Sequence, residues 1–500
     1  MNVYRRSSEE AQIIMYKSTI HIVITIVSAF LFSCSSSENG MKESPIPNTH
    51  NLFSPDELKS DLTILITKTA EIHPDIYFTI DSAAFAGEVS AIAKKLDHPM
   101  IRSEYYKIVA PLLALLHDAH TSVLMPREDW DRFRDKGGMA FPFFVRFIDS
   151  TGVTVERNLD STNDIAKSTK IVKINSLSVD SLFNEFRKYI GTERPPYNSF
   201  ITANNFRCYL WLNNIVAPFS ITLQSSESSQ PMTLFSGGVP KQQIDYKPYE
   251  YKLLPGNTGY LIYNLMRNNP SEPFDQFLDT VFHDLEISQR KGLIVDLREN
   301  GGGSDEFVYD LLKHMSAKPF RACSKLYRKV SREYKERFRS YAPSYLRWLM
   351  YPPAVWLGAW CFDELKIFTA SEGELLERHF EPEEYTVGPD YFKGKVCFLI
   401  GTKTFSSAVD LADAVKTYRL ATVIGDETGG IPTAFGDRVE FRLPNTGLAV
   451  SVASAKFIRA DGDELSRSGI LPDIEVHESI SDIKNNSDPV LDKAKEWILN

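Results

Sequence analysis

Residues 396–430 constrain this chain more than any other stretch. Val396-Cys-Phe-Leu-Ile-Gly401 is short, apolar and β-branched, the texture of a strand buried on both faces. Thr402-Lys-Thr-Phe-Ser-Ser-Ala-Val-Asp410 follows, and Ala408, Leu411, Ala412 and Val415 then recur at helical spacing. A second apolar strand, Ala421 to Ile424, leads to Gly425-Asp-Glu-Thr-Gly-Gly430. A serine at such a strand-to-helix junction has neighbouring backbone N–H groups pointing outward. It offers a nucleophile and part of an oxyanion hole in one turn. A Ser-Ser pair before a helix serves equally well as an N-cap, so Ser406 and Ser407 need support from elsewhere.

A second strand-turn-helix unit precedes it. Lys291-Gly-Leu-Ile-Val-Asp-Leu297 reads as a buried strand, and Arg298-Glu-Asn-Gly-Gly-Gly-Ser304 as a glycine turn before a helix from Asp305. Two such βα units imply a mostly parallel sheet. Glycines there let the backbone approach a ligand closely. The Gly-Lys-Ser/Thr of a phosphate loop is absent, and so is the dinucleotide fingerprint.

At 500 residues the chain exceeds one ordinary core, so two to four structural units are expected. Its net charge of −9 carries no basic surplus, which argues against nucleic acid as a partner. The histidines are scattered without His-Glu-x-x-His spacing, so neither a metal nor a cofactor is expected. Ile20 to Phe32 is an apolar run behind Lys17, short for a spanning helix and suited to a signal-peptide core. It ends Leu31-Phe32-Ser33-Cys34, which resembles a bacterial lipobox with Cys34 as the lipidated residue. An uncleaved anchor helix is the alternative. Both place the body outside the cytoplasm, in the cell envelope and tied to a membrane. The remaining cysteines are too few for a disulfide framework, although a Cys323–Cys361 bridge stays open.

The expected organisation is a leader over 1–34, a tether over 35–52 and a helical domain over 53–125. Ser54 caps the first helix, and His120 in Asp118-Ala-His-Thr121 follows the third. Within 136–195, a strand ending Lys173-Ile-Asn175, a short turn and a helix from Ser181 to Tyr189 resemble a PDZ-like subdomain. That resemblance implies binding of an extended peptide by strand addition. The α/β domain would occupy 196–319 and 391–480, interrupted by an insertion over 320–390 with a basic helical stretch from Tyr327 to Arg339. A helix over 481–500 closes the chain.

His120, the Asp296-Leu-Arg-Glu-Asn-Gly-Gly-Gly303 turn, the Phe405-Ser-Ser-Ala-Val-Asp410 turn and Gly469-Ile-Leu-Pro-Asp473 occur in an order that resembles the tail-specific and tricorn-type serine peptidases. The resemblance implies an α/β and α+β multidomain fold with a crotonase-like or ClpP-like catalytic domain. It also implies hydrolysis of peptides or unfolded protein tails through an acyl-enzyme. Ser407 would be the nucleophile, with Ser406 its off-by-one rival, and Asp410 would fill the family's acidic position. Ala408 with Gly302 and Gly303 would hold the oxyanion. No lysine lies near Gly429 to Ala434, where one branch of the family keeps its base, so the base falls to His120. The glutamate that would orient it aligns with Ser466. Glu464 is the expected substitute, and Asp118 sits where an acid caps or solvates a helix end. The missing glutamate also motivates a second function, a binding protein for peptides or hydrophobic ligands with little or no catalysis. An esterase is a third, disfavoured because the Gly-x-Ser-x-Gly elbow is absent.

Overall fold

The computed structural model describes residues 51–224, 230–242, 246–342, 344–351, 355, 365–385 and 391–500. The proposed leader with Cys34, together with Cys361, Trp356 and Trp360, lies outside the described residues. Among the described residues no helix is long and apolar enough to cross a membrane.

The centre of the main unit is a sheet in the order Ile474–Glu475, Thr422–Gly425, Lys395–Ile400, Gly292–Asp296, Thr258–Tyr263 and Tyr249–Leu254. All neighbours run parallel except the last pair. Its central strands Thr258–Tyr263, Gly292–Asp296 and Lys395–Ile400 are apolar at nearly every position because both faces are covered. Leu293, Val295, Phe398 and Ile400 pack against helices Phe274–Ile287, Glu306–Leu312 and Ser407–Tyr418. Ile294, Cys397 and Leu399 face the C-terminal helix Pro489–Leu499 through Val490, Ala494 and Ile498. Single-residue alternation thus sorts each strand between two cores.

A second, antiparallel sheet is built on the long strand Ala449–Arg459. Ala434–Arg442, Cys323–Lys329 and the two-residue strand Ser122–Val123 pair with it, and Leu375–His379 adds to Cys323–Lys329. This corrects two expectations. Tyr327, Arg328 and Lys329 end the strand Cys323–Lys329 rather than start a basic helix, because Ser324 and Leu326 alternate inward against the Ala449–Arg459 strand, and the helix begins only at Arg332. The insertion is accordingly shorter than 320–390, since both flanks of that segment contribute strands to the sheet. Residues 334–370 fall in a separate compact unit. Within it, Arg339 stacks over the rings of Tyr351 and Phe368.

Residues 136–195 lie in a third sheet, also antiparallel. It does not end at residue 195. Strand Lys170–Ile174 pairs with Phe219–Gln224, which in turn pairs with Met232–Ser236, so these later residues complete this sheet rather than the parallel one.

Three helices open the described chain, Pro55–Ile72, Ser82–Lys95 and Arg102–Ala114. The first begins with a reciprocal capping box between Ser54 and Glu57. Asp61 on that helix is fully buried and accepts hydrogen bonds from the Asn445 and Thr446 backbone amides at 3.0 and 2.8 Å and from the Thr446 hydroxyl at 2.7 Å. It ties the first helix to the turn that feeds the long strand. Asp61→Ala should therefore lower unfolding stability by roughly 2–4 kcal/mol, because it strands several buried donors. A urea midpoint unchanged from wild type would refute that role.

Candidate active site

The end of strand Lys395–Ile400 and the end of strand Gly292–Asp296 lie side by side, and their turns are laced together. The Thr404 hydroxyl donates to the Leu297 carbonyl at 2.8 Å, and the Phe405 amide to the Asn300 carbonyl at 3.0 Å. Asn300 Oδ1 accepts the Gly302 amide at 2.8 Å. A Cβ on Gly302 would sit 2.7 Å from Ser406 Cβ, so only glycine allows this approach. Asp296 and Arg298 are structural. Arg298 bridges Asp296 to Asp488 at the start of the C-terminal helix, with contacts of 2.7 and 2.8 Å.

Ser406 takes φ 54° and ψ −135°, a backbone region that side chains rarely occupy. Its hydroxyl lies 3.2 Å from His120 Nε2. Ser407 begins the helix proper, and its hydroxyl is turned away onto the Gly303 carbonyl at 2.9 Å and Asp305 Oδ1 at 2.5 Å. The expected assignment is thereby corrected: the side chain presented to the histidine is that of Ser406. The reason is local geometry. The strained residue forms the tip of the turn, and the next one is already in helical register. Burial raises the Asp305 carboxyl, with the Ser407 hydrogen bond opposing. Asp410, one turn into the helix, is pushed well up by burial and by the charges of Asp305 and Asp413.

The candidate oxyanion donors shift with the serine. The Ala408 amide donates to the Phe405 carbonyl at 3.3 Å and the Gly302 amide to Asn300, so both are engaged. The amides of Ser407 and Gly303 donate no hydrogen bond among the described residues.

His120 comes from the other end of the sequence. Strand Ser122–Val123 pairs with Val450 and Ser451, and the Ser451 hydroxyl donates to the His120 carbonyl at 3.0 Å. The imidazole stacks on Phe405 at 4.8 Å, and Phe405 stacks on Tyr197 at 4.2 Å. Three rings in a row set the imidazole plane.

Behind the ring lie two acids. Asp118 Oδ1 accepts the His120 amide at 2.8 Å and lies 3.7 Å from Nδ1. Asp118 Oδ2 accepts the Thr121 hydroxyl at 2.5 Å and lies 3.3 Å from His73 Nε2. His73 Nδ1 accepts the Asp75 amide, so Nε2 carries the proton that faces Asp118. Burial alone would raise the Asp118 carboxyl, but the neighbouring His120 and His73 imidazoles hold it well below the usual carboxylate range. Glu193 is the second acid. One ligand atom from each of Asp118, His120 and Glu193 lies within 4.8 Å of the others. Such a trio could share a cation, but both Asp118 oxygens already have protein partners. Burial, and then the Asp118 charge, push Glu193 up to about 8. Both of its oxygens and His120 Nδ1 are buried without a hydrogen-bond partner among the described residues.

Glu464 is corrected as well. It sits on an exposed loop, where Lys325 Nζ at 2.7 Å and the Tyr327 hydroxyl at 3.3 Å hold it. Glu193 has no sequence spacing to His120 that would reveal it. Its one local signal is Gly191, where a Cβ would lie 2.4 Å from the Ala114 carbonyl. That close crossing of the third helix brings residue 193 beside the histidine.

Fold and site together define a serine-type peptidase. Residues 257–476 match the model of peptidase family S41. No curated protein matches the sequence. Among solved structures, a point mutant of CPAF superposes with a TM-score of 0.65 at 15% identity, covering 89% of this chain and 97% of that one. Mature CPAF complexed with lactacystin gives 0.63 at 14% identity, covering 89% and 98%. At such identities these likenesses speak to the fold alone.

Proposed function

We propose that this peptidase works through an acyl-enzyme on Ser406, with His120 as its base. The observation that carries this reading is the 3.2 Å approach of His120 Nε2 to the hydroxyl of a strained serine. Ser406 Oγ attacks the scissile carbonyl while Nε2 takes its proton. The developing oxyanion meets the Ser407 and Gly303 amides, each worth a few kcal/mol of barrier. Collapse of the intermediate breaks the C–N bond, and the departing amine takes the proton back from Nε2. Water, deprotonated by the same nitrogen, then releases the acyl group. For Nε2 to accept a proton, Nδ1 must carry one, and the Asp118 and Glu193 side favours that tautomer. A binding-only role was motivated by the acid missing at Ser466. Two acids beside His120 remove that motive.

We also infer that the body works outside the cytoplasm as a lipoprotein, because the apolar run Ile20 to Phe32 ends at Cys34. Cys34→Ala should lose lipid labelling and leave the membrane fraction. Equal lipid incorporation in both proteins would end that reading.

A fluorophosphonate should attach to Ser406. Ser406→Ala should abolish labelling, His120→Ala should slow it by at least about a thousandfold, and Ser407→Ala should still be labelled. An adduct on Ser407 would overturn the assignment. Glu193 supplies a pH signature. Above its value of about 8 it ionises and adds a second negative charge beside the ring, which favours the imidazolium of the transition state. Peptidase kcat/KM should therefore rise through that range in wild type, and the rise should be missing in Glu193→Gln. Superimposable profiles would remove Glu193 from the mechanism.

A further inference from the structure

A cavity of about 110 Å³ adjoins the Ser406–His120 pair. Its apolar lining includes Phe78, Leu116, Ile431 and Phe435. Two contacts place it near the reacting atoms. Glu193 lines the cavity and lies beside His120. Ile431 follows Gly430, where a Cβ would lie 3.4 Å from the Ser406 amide nitrogen. Cavities of about 150 Å³ accept benzene, so this one has room for a side chain of four or five heavy atoms.

The polar part of the lining is unusual. Thr79 and Thr433 give their hydroxyls to the Leu116 and Asp463 carbonyls, both at 2.7 Å, so neither is free to donate to a ligand. What remains includes two cations on one ring. Lys456 Nζ lies 4.7 Å and the Arg467 guanidinium 4.6 Å from the Phe78 centroid. Arg467 donates to the Glu464 and Ser466 carbonyls, at 3.2 and 2.9 Å. Among the described residues neither cation pairs with a carboxylate. Burial, with the Arg467 charge next, lowers the Lys456 ammonium. The charges of Glu464 and Asp75 offset the Arg467 charge on Lys456 only in part, so two like charges gathered on an apolar wall repel each other, and an anion between them relieves that repulsion. Glu193 on the adjoining wall does not compete for this role near neutral pH, because it is held protonated there.

We propose that this cavity is a substrate subsite that takes a carboxylate on a short apolar stem, with Lys456 and Arg467 pairing with the acid and the Phe78, Ile431 and Phe435 wall packing on the stem. The inference rests on the peptidase reading above. Two parts of a peptide carry this chemistry, an acidic side chain near the cleaved bond and the free C-terminal carboxylate.

The test uses the full-length protein and internally quenched peptides in two matched series. One scans Glu against Gln through an otherwise constant sequence, and the other compares a C-terminal acid with its amide. Wild type should favour the acidic member of one series by about tenfold in kcat/KM, mostly through KM, and the series that responds names the source. In Lys456→Gln/Arg467→Gln the preference should fall to within about twofold, while fluorophosphonate still labels Ser406 and so reports a folded, reactive site. Lys456→Glu, a second variant, should turn the preference toward a Lys-bearing peptide. No preference in wild type, or an unchanged preference in both variants, would overturn the subsite. Failure of wild type to label at Ser406 would instead overturn the peptidase mechanism.

Discussion

Everything at this site depends on a backbone pairing of two residues. Ser122 and Val123 join the edge of a strand more than three hundred positions later, opposite Ser451 and Val450. So short a pairing is weak alone. It is reinforced by the Leu124 amide on the Ala449 carbonyl at 2.8 Å and the Ala453 amide on the Thr121 hydroxyl at 3.0 Å. Nearby, the buried Arg102 guanidinium donates to the Gly447 carbonyl at 2.6 Å. These bonds dock the helical segment onto the second sheet. Without them a histidine following a helix would have no reason to meet a serine at the end of a parallel strand.

The docking also carries an electrostatic cost. Asp118 is buried, and a buried carboxylate is tolerated only when it is hydrogen-bonded and paired. Its partners are a backbone amide, a hydroxyl and two imidazoles, and together they keep it ionised. That fixed charge raises its neighbour Glu193, so the two acids beside one ring do not carry the same charge near neutral pH. Pairs of titratable groups pushed apart in this way recur where proton transfer is carried out.

Most of the architecture could be read from the sequence. The apolar runs at 292–296 and 395–400 and the capped helices from Pro55 and Pro489 announce themselves through local composition. The site was legible only down to the turn. Which of two adjacent serines faces the histidine depends on one backbone dihedral, and periodicity does not report a dihedral. The strand at Cys323–Lys329 was hidden because its exposed positions carry Lys and Arg, which also suit a helix. Glu193 was hidden for a different reason. Its partner lies across a chain crossing, and only the close approach of Gly191 to the third helix hints at it.

The two serines divide the work, which explains a defect in the helix they start. Helix Ser407–Tyr418 has no side-chain cap at its N-terminus, although a serine occupies the cap position. A missing cap costs about 1 kcal/mol, and a non-glycine residue at positive φ costs about 1–3 kcal/mol more. A serine used only for capping would be extended and would bond the first turn. Ser406 does neither, and its hydroxyl points to an imidazole instead. Ser407 meanwhile grips the Gly303 carbonyl, which steadies the turn whose amide faces the same space. Stability is surrendered at the residue that faces the imidazole, and the next residue braces the groups around it.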